Sequence, residues 1–103
     1  MYARVAVYRI KSGTAQEIAR KADDEGGMLK IFRAHIGFDS YELVGVGDTL
    51  ISISRWQTEE QADAGSMAAR SWVAEHLGGS VQLEANHVGE LVLSSLTPDA
   101  VGL

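Results

Sequence analysis

The chain has 103 residues, room for one hydrophobic core and not two. Its 46% hydrophobic and 22% charged residues are those of a folded domain, which excludes a multidomain enzyme, a fibrous repeat and wholesale disorder. Nine Lys and Arg against fourteen Asp and Glu leave a net charge of −5, and residues 52–103 hold two bases against seven acids, so no positive stripe exists for a nucleic-acid partner. Without cysteine there is no disulfide framework or thiolate site. No apolar run approaches the roughly 18 residues of a membrane span and no leader precedes the first strand pattern, so a cytoplasmic protein without a membrane partner is expected.

Residues 2–11 are rich in β-branched and aromatic side chains and end at Ser12-Gly13, which predicts a strand. Thr14-Ala-Gln-Glu17 matches a capping box, in which the Thr hydroxyl accepts an orphan helix N–H and the Glu reaches back. A helix follows, with Ile18, Ala19 and Ala22 inward. Gly26-Gly27 costs roughly 1 kcal/mol per Gly inside a helix, so a break is expected before a short helical piece over 28–34. Phe38–Val46 and Thr49–Trp56 read as strands joined by a tight Gly47-Asp48 turn. A second capping box, Thr58-Glu-Glu-Gln61, opens a helix that stops at Gly78-Gly79 and carries Ala62, Ala69, Trp72, Val73, His76 and Leu77 as an apolar stripe. A last strand is expected over 84–95, with Pro98 in a frayed tail. The domain therefore spans 1–96 and the tail 97–103.

The order β-α-β-β-α-β is the ferredoxin-like arrangement of the α+β class: two helices on one face of a four-stranded antiparallel sheet. A strand sends alternate residues to opposite faces, so a sheet with one wet face shows polar residues at every second position. Here Tyr2, Ala6, Tyr8 and Ile10 oppose Ala3, Val5 and Val7; Leu50 and Trp56 oppose Ile51 and Ile53; Val88 and Val92 oppose Leu91 and Leu93. Two helices cover one face only. At about 25 cal/mol per Å² of apolar surface, leaving the other wet forfeits several kcal/mol, which points to a homodimer packed sheet to sheet. The alternative is a monomer covered by the tail from Thr97 to Leu103.

The opening Tyr2-Ala-Arg-Val-Ala-Val-Tyr-Arg-Ile-Lys-Ser-Gly13, the His35-Ile-Gly-Phe38 stretch, and Ser52-Ile-Ser-Arg-Trp56 running into Thr58-Glu-Glu resemble the antibiotic-biosynthesis-monooxygenase-like branch of the dimeric α/β-barrel proteins, over residues 2–95. The resemblance implies two ferredoxin-like protomers packed sheet against sheet. Its members include cofactor-independent monooxygenases of phenolic polyketides, haem-degrading enzymes and proteins without assigned activity. The haem-degrading pattern needs a strand-one Asn, which falls at Ala6, and a Trp and His spaced further apart than Trp72 and His76.

Cofactor-free oxygenation requires apolar walls, a base and oriented donors for an anion. Trp72, Trp56 and Tyr8 are candidate walls, His76 a candidate base and Arg4 a candidate anion partner, with Arg4, Ala6 and Tyr8 on one strand face that the resemblance places beneath the helices. Arg4, Tyr8 and His76 are thus the catalytic candidates. His35, beside Ile36 where many relatives carry Pro, is a candidate at the cleft mouth or a solvated loop residue. Asn86 and His87 are candidates for bonds across a dimer or ordinary turn residues. His35, His76 and His87 form no metal-ligand spacing, and neither metal nor cofactor is expected. The competing reading is a non-catalytic dimer that binds a small apolar ligand or assembles with a partner. Val7→Asp places a charge on a buried sheet face and is expected to unfold or dissociate the protein; unchanged elution and melting would count against the strand assignment.

Overall fold

The computed structural model describes residues 1–95. Four strands, β1 (Tyr2–Ile10), β2 (Phe38–Val46), β3 (Thr49–Trp56) and β4 (Val81–Glu90), form one antiparallel sheet in the order β2-β3-β1-β4. Three helices, α1 (Ala15–Asp23), α2 (Met28–Arg33) and α3 (Glu59–His76), complete the ferredoxin-like plan. The helix break falls where Gly26 adopts φ 80°, a conformation costly to any side chain but absent from glycine's penalties. Thr58 closes the full capping box with Gln61, at 3.1 and 3.2 Å. In α1 only half of the expected box forms: Thr14 Oγ1 accepts from the Glu17 N–H at 3.2 Å.

The pleat sorts the central strand. Arg4, Ala6, Tyr8 and Ile10 are buried beneath the helices, whereas Ala3, Val5 and Val7 are half-buried on the opposite face. In β3, Leu50, Ser52, Ser54 and Trp56 are buried under the helices while Ile51 and Ile53 face the other way, half-buried. Ile18, Ala22, Met28, Phe32, Ala62, Ala69, Trp72 and Leu77 fill the space between. Trp56 lies at one end of this core, edge-on to Phe32 (ring centroids 5.2 Å apart) and Phe38 (5.5 Å), and its indole N–H donates to Ser54 Oγ at 2.9 Å. The buried indole thereby keeps its polar atom satisfied.

The last strand departs from expectation at both ends. It starts at Val81, opposite Ile10, and stops at Glu90, opposite Tyr2. The reason is the extent of its partner: β1 begins at Tyr2, and the Met1 carbonyl before it accepts the final rung from the Leu91 N–H at 2.9 Å. Leu91, Val92 and Leu93 therefore do not extend the ladder, and Val92 and Leu93 are exposed. A bulge between Val7 and Tyr8 along the β1–β4 ladder leaves Glu84 as the extra residue, which pairs with Arg9 at 3.5 Å. Past β4, Ser94 accepts from Arg55 Nη2 at 3.3 Å, and Arg55 Nε lies 3.6 Å from Asp39.

This register also corrects the composition of the uncovered face. Ala3, Val5 and Val7 stand opposite Gly89, His87 and Ala85, so β4 adds little apolar surface there. The apolar area is carried by Val5, Val7, Ile51 and Ile53 and by the exposed Val44 and Val46 of β2. The tail from Thr97 to Leu103, named above as an alternative cover, lies outside the described residues.

Gly65 shows how tightly α3 sits. A Cβ there would collide with the Trp56 indole, its Cε2 only 2.9 Å away. Gly65→Ala gains about 1 kcal/mol of helix propensity but overpacks the core at a cost of about 1–3 kcal/mol. A net loss of stability is expected in denaturant titration; a stabilised variant would show that the α3–Trp56 contact is looser than drawn.

Candidate functional site

Arg4 is the largest polar group in the core, with 1% of its surface exposed. The pleat leaves it no other place, because the same parity that buries Ala6 and Tyr8 buries Arg4. Its Nε donates to Asn86 Oδ1 at 2.7 Å and its Nη2 to the Tyr8 hydroxyl at 3.2 Å. Both acceptors are neutral. Among the described residues no carboxylate reaches it, the ion pairs there being Arg9–Glu84, Lys30–Glu25, Arg55–Asp39 and His76–Glu75. A buried charge stripped of its partner costs roughly 3–5 kcal/mol, so an unpaired guanidinium in this position is a costly feature for a purely structural residue.

Arg4 and Tyr8 line a small cavity of about 20 Å³ between sheet and helices. That volume holds about one water molecule. Tyr41 and Ser52 add two hydroxyls, and Met28, Leu43, Leu50 and Trp72 supply apolar walls. Burial pushes the Tyr41 hydroxyl up from 10.0 to about 12, against the opposing effect of a bond with Ser52; the neighbouring Tyr8 raises it further and the Arg4 charge lowers it. At neutral pH Tyr41 is an uncharged donor. The cavity is thus rich in donors and carries one uncompensated positive charge.

Two larger depressions flank it. A groove of about 570 Å³ runs between the start of α1 and the β2–β3 hairpin; Leu43 and Leu50 line both this groove and the inner cavity. On another side Trp72 is the wall shared with a surface depression of about 260 Å³ that includes Lys21, Glu25 and His76. The Trp72 indole N–H donates to the Gly26 carbonyl at 3.1 Å, tying α3 to the turn between α1 and α2.

The structure brings together three of the residues singled out from sequence: Arg4, Tyr8 and Trp72. His76 stands on the outer side of Trp72, half exposed, with ring centroids 5.2 Å apart and Nε2 3.8 Å from Glu75. Trp56 does not reach the cavity. His35 lies near Trp56 (6.3 Å) with Nδ1 donating to the Ile31 carbonyl at 2.9 Å, beside a separate depression formed with Ile36 and Gln61. Asn86 is a core partner of Arg4, while His87 faces the uncovered side, exposed. Tyr41, Ser52 and the Asn86–Arg4 bond were missed. The signal was present: Ser52 and Tyr41 are polar residues at the parity that faces the helices, where an ordinary core would be apolar. Among the described residues no three His, Asp or Glu side chains converge to hold a metal, and no helix is long and apolar enough to cross a membrane.

No family model matches the chain, and no curated protein matches it. Solved structures do. A mutant of SnoaB, a cofactor-independent oxygenase from Streptomyces nogalater, superposes with a TM-score of 0.69 at 13% identity, over 91% of this chain and 95% of that one. A candidate antibiotic biosynthesis monooxygenase from Chloroflexus aurantiacus gives 0.62 at 15% identity, over 90% and 94%. A dimeric ferredoxin-like protein from an uncultured marine organism gives 0.62 at 10%, over 90% and 95%. The chain has the fold of these proteins from one end of the domain to the other.

The Tyr41 shift carries a prediction of sign. Below pH 10.0 the hydroxyl is neutral in folded and unfolded chains alike. Above it the unfolded chain loses the proton first, so stability falls as pH rises from 10.0 to about 12. Tyr41→Phe is expected to lessen that fall in denaturant titrations between pH 9 and 11, roughly the window of tyrosine ionisation. A variant that loses stability with the wild-type slope would show that Tyr41 ionises as freely as in the unfolded chain.

Proposed function

We propose that the protein is a small cofactor-independent oxygenase of an electron-rich aromatic compound, working as a homodimer joined through the uncovered sheet faces. The observation that carries this reading is the cavity beneath the helices, where the Arg4 guanidinium and the hydroxyls of Tyr8, Tyr41 and Ser52 meet Trp72 and aliphatic walls. The likeness in fold to SnoaB supports it. The dimer is supported by the apolar face of Val5, Val7, Ile51 and Ile53, which no helix among the described residues covers, and by the neighbour described as dimeric.

The reaction has two substrates, an activated methylene flanked by phenolic rings and dioxygen. Loss of a proton leaves an enolate anion delocalised onto the oxygen of the ring ketone opposite the methylene. That oxygen lies toward the hydroxyls of Tyr8, Tyr41 and Ser52, donors already oriented on strands and largely shielded from water, which is where such donors are most effective. Dioxygen adds at the carbon and takes its electrons to form a hydroperoxide. Loss of water then leaves a carbonyl: one oxygen atom ends in the product and one in water. His76 takes the proton in this reading, and its position outside Trp72 requires the substrate to reach across the Trp72 side of the cavity. At about 20 Å³, the cavity admits substrate only when its walls move.

The test is oxygen uptake with a phenolic anthrone at neutral pH, alongside the solution mass of the protein. Saturable uptake with one anthraquinone formed per oxygen consumed is expected, from a species of twice the chain mass. Tyr8→Phe removes one donor to the anion and is expected to lower kcat by about 100-fold or more. His76→Ala is expected to lower it by a similar factor, about 100-fold, with the dimer intact. Uptake no faster than in buffer sinks the enzyme reading in favour of a ligand-binding dimer.

A further inference from the structure

The charge at Arg4 says more about the ligand than its aromatic character. We infer that the cavity is a subsite for the carboxylate of an aromatic acid, with Arg4 as its counter-ion and the acid's apolar body seated in the groove between α1 and the β2–β3 hairpin. This rests on the proposed site and deepens it, naming a group the substrate carries before any reaction begins.

A transient anion formed during catalysis balances Arg4 only for that moment. A phenol does not balance it beforehand, since phenols ionise near pH 10 and carboxylic acids near pH 4. Arg4 is buried in the resting protein and both acceptors it has there, Asn86 Oδ1 and the Tyr8 hydroxyl, are neutral. A ground-state carboxylate supplies the missing charge, and it accepts bonds from planar guanidinium and hydroxyl donors in the same geometry. The other lining groups suit it: Ser52 and Tyr41 are hydroxyls, and among the described residues no carboxylate lines the cavity. A single guanidinium matches one negative charge better than the −1.5 to −2, approximately, of a phosphate monoester.

The groove sets where the rest of the ligand goes. Its volume, about 570 Å³, lies within the range of about 300–1,000 Å³ typical of small-molecule pockets. Ile10, Ala15, Ala19, Leu43 and Leu50 form apolar parts of its lining, and Lys11 and Asp48 add one charge of each sign at its rim. Leu43 is half-buried and, with Leu50, belongs to both spaces. Displacing the Leu43 side chain joins groove to cavity, and so provides the room that a carboxylate needs beyond one water.

Equilibrium binding of 2-naphthoate and 2-naphthamide, by titration calorimetry at pH 7, tests this without any turnover. The acid is expected to bind saturably and the amide more weakly by about tenfold or more, the consequence of leaving the buried charge unmatched. Arg4→Met is expected to abolish the preference for the acid, while Arg4→Lys retains part of it. Leu43→Ala is expected to speed association. Equal binding of acid and amide by the wild type overturns the subsite, as does the absence of naphthoate binding at millimolar concentration. Should Arg4→Met fail to fold, Tyr8→Phe carries the comparison, and an unchanged acid preference in both Tyr8→Phe and Arg4→Lys overturns the subsite equally. Oxygen uptake from an anthrone without discrimination between acid and amide leaves the oxygenase standing and removes the subsite. Naphthoate binding that depends on Arg4, without any oxygen uptake, does the reverse.

Discussion

A strand hydrogen-bonded on both sides cannot rotate its side chains out of register, and β1 is such a strand, held between β3 and β4. Its two-residue repeat sends Arg4, Ala6, Tyr8 and Ile10 to the helices and Ala3, Val5 and Val7 away from them. Everything of functional interest depends on that division. It forces a guanidinium into the core, sets the Tyr8 hydroxyl two repeats further along within reach of it, and leaves an apolar row that no helix among the described residues covers. A slip of one residue would exchange the two sets entirely.

The surrounding structure makes the buried charge tolerable. Asn86 comes from the neighbouring strand at the register that pairs it with Ala6, close enough to accept from Arg4 Nε. Ser52, paired with Ala6 from the other side, and Tyr41, paired with Ser54, bring hydroxyls to the same face. The aromatic group around Trp56 fills one end of the layer, and Trp72, bonded to the Gly26 carbonyl, closes another. The donors are therefore held on strands, the most rigid elements available. At the rim, the half-buried Leu43 side chain stands between the cavity and the groove. That distribution suits a site that must keep its polar geometry while admitting a ligand.

Much of the fold was legible because it rests on local rules. Period-two alternation, the Thr58 box and the paired glycines at 26–27 each act within a few residues, and strands, helices and the β2–β3 hairpin fall where these signals stand. The last strand did not, since Leu91, Val92 and Leu93 look like strand residues in isolation and lack only a partner. Where a ladder ends is set by the length of the neighbouring strand, a fact some 80 residues away in the chain. The same distance hid the partners of Arg4: at the start of a strand, Asn86 reads equally as a dimer contact or a turn residue.

What the amino-acid order determined by itself was the set of elements, the parity of each strand and so the presence of Arg4 and Tyr8 on one face, since these follow from backbone geometry and short-range chemistry. Only the tertiary structure decided which polar groups meet. Packing joined Arg4, Tyr8, Tyr41, Ser52 and Trp72 around one small cavity, set His76 outside it, and gave Trp56 to the core. These are contacts between separate elements, fixed by register and by the volume each side chain fills, and no pattern within one stretch of chain encodes them.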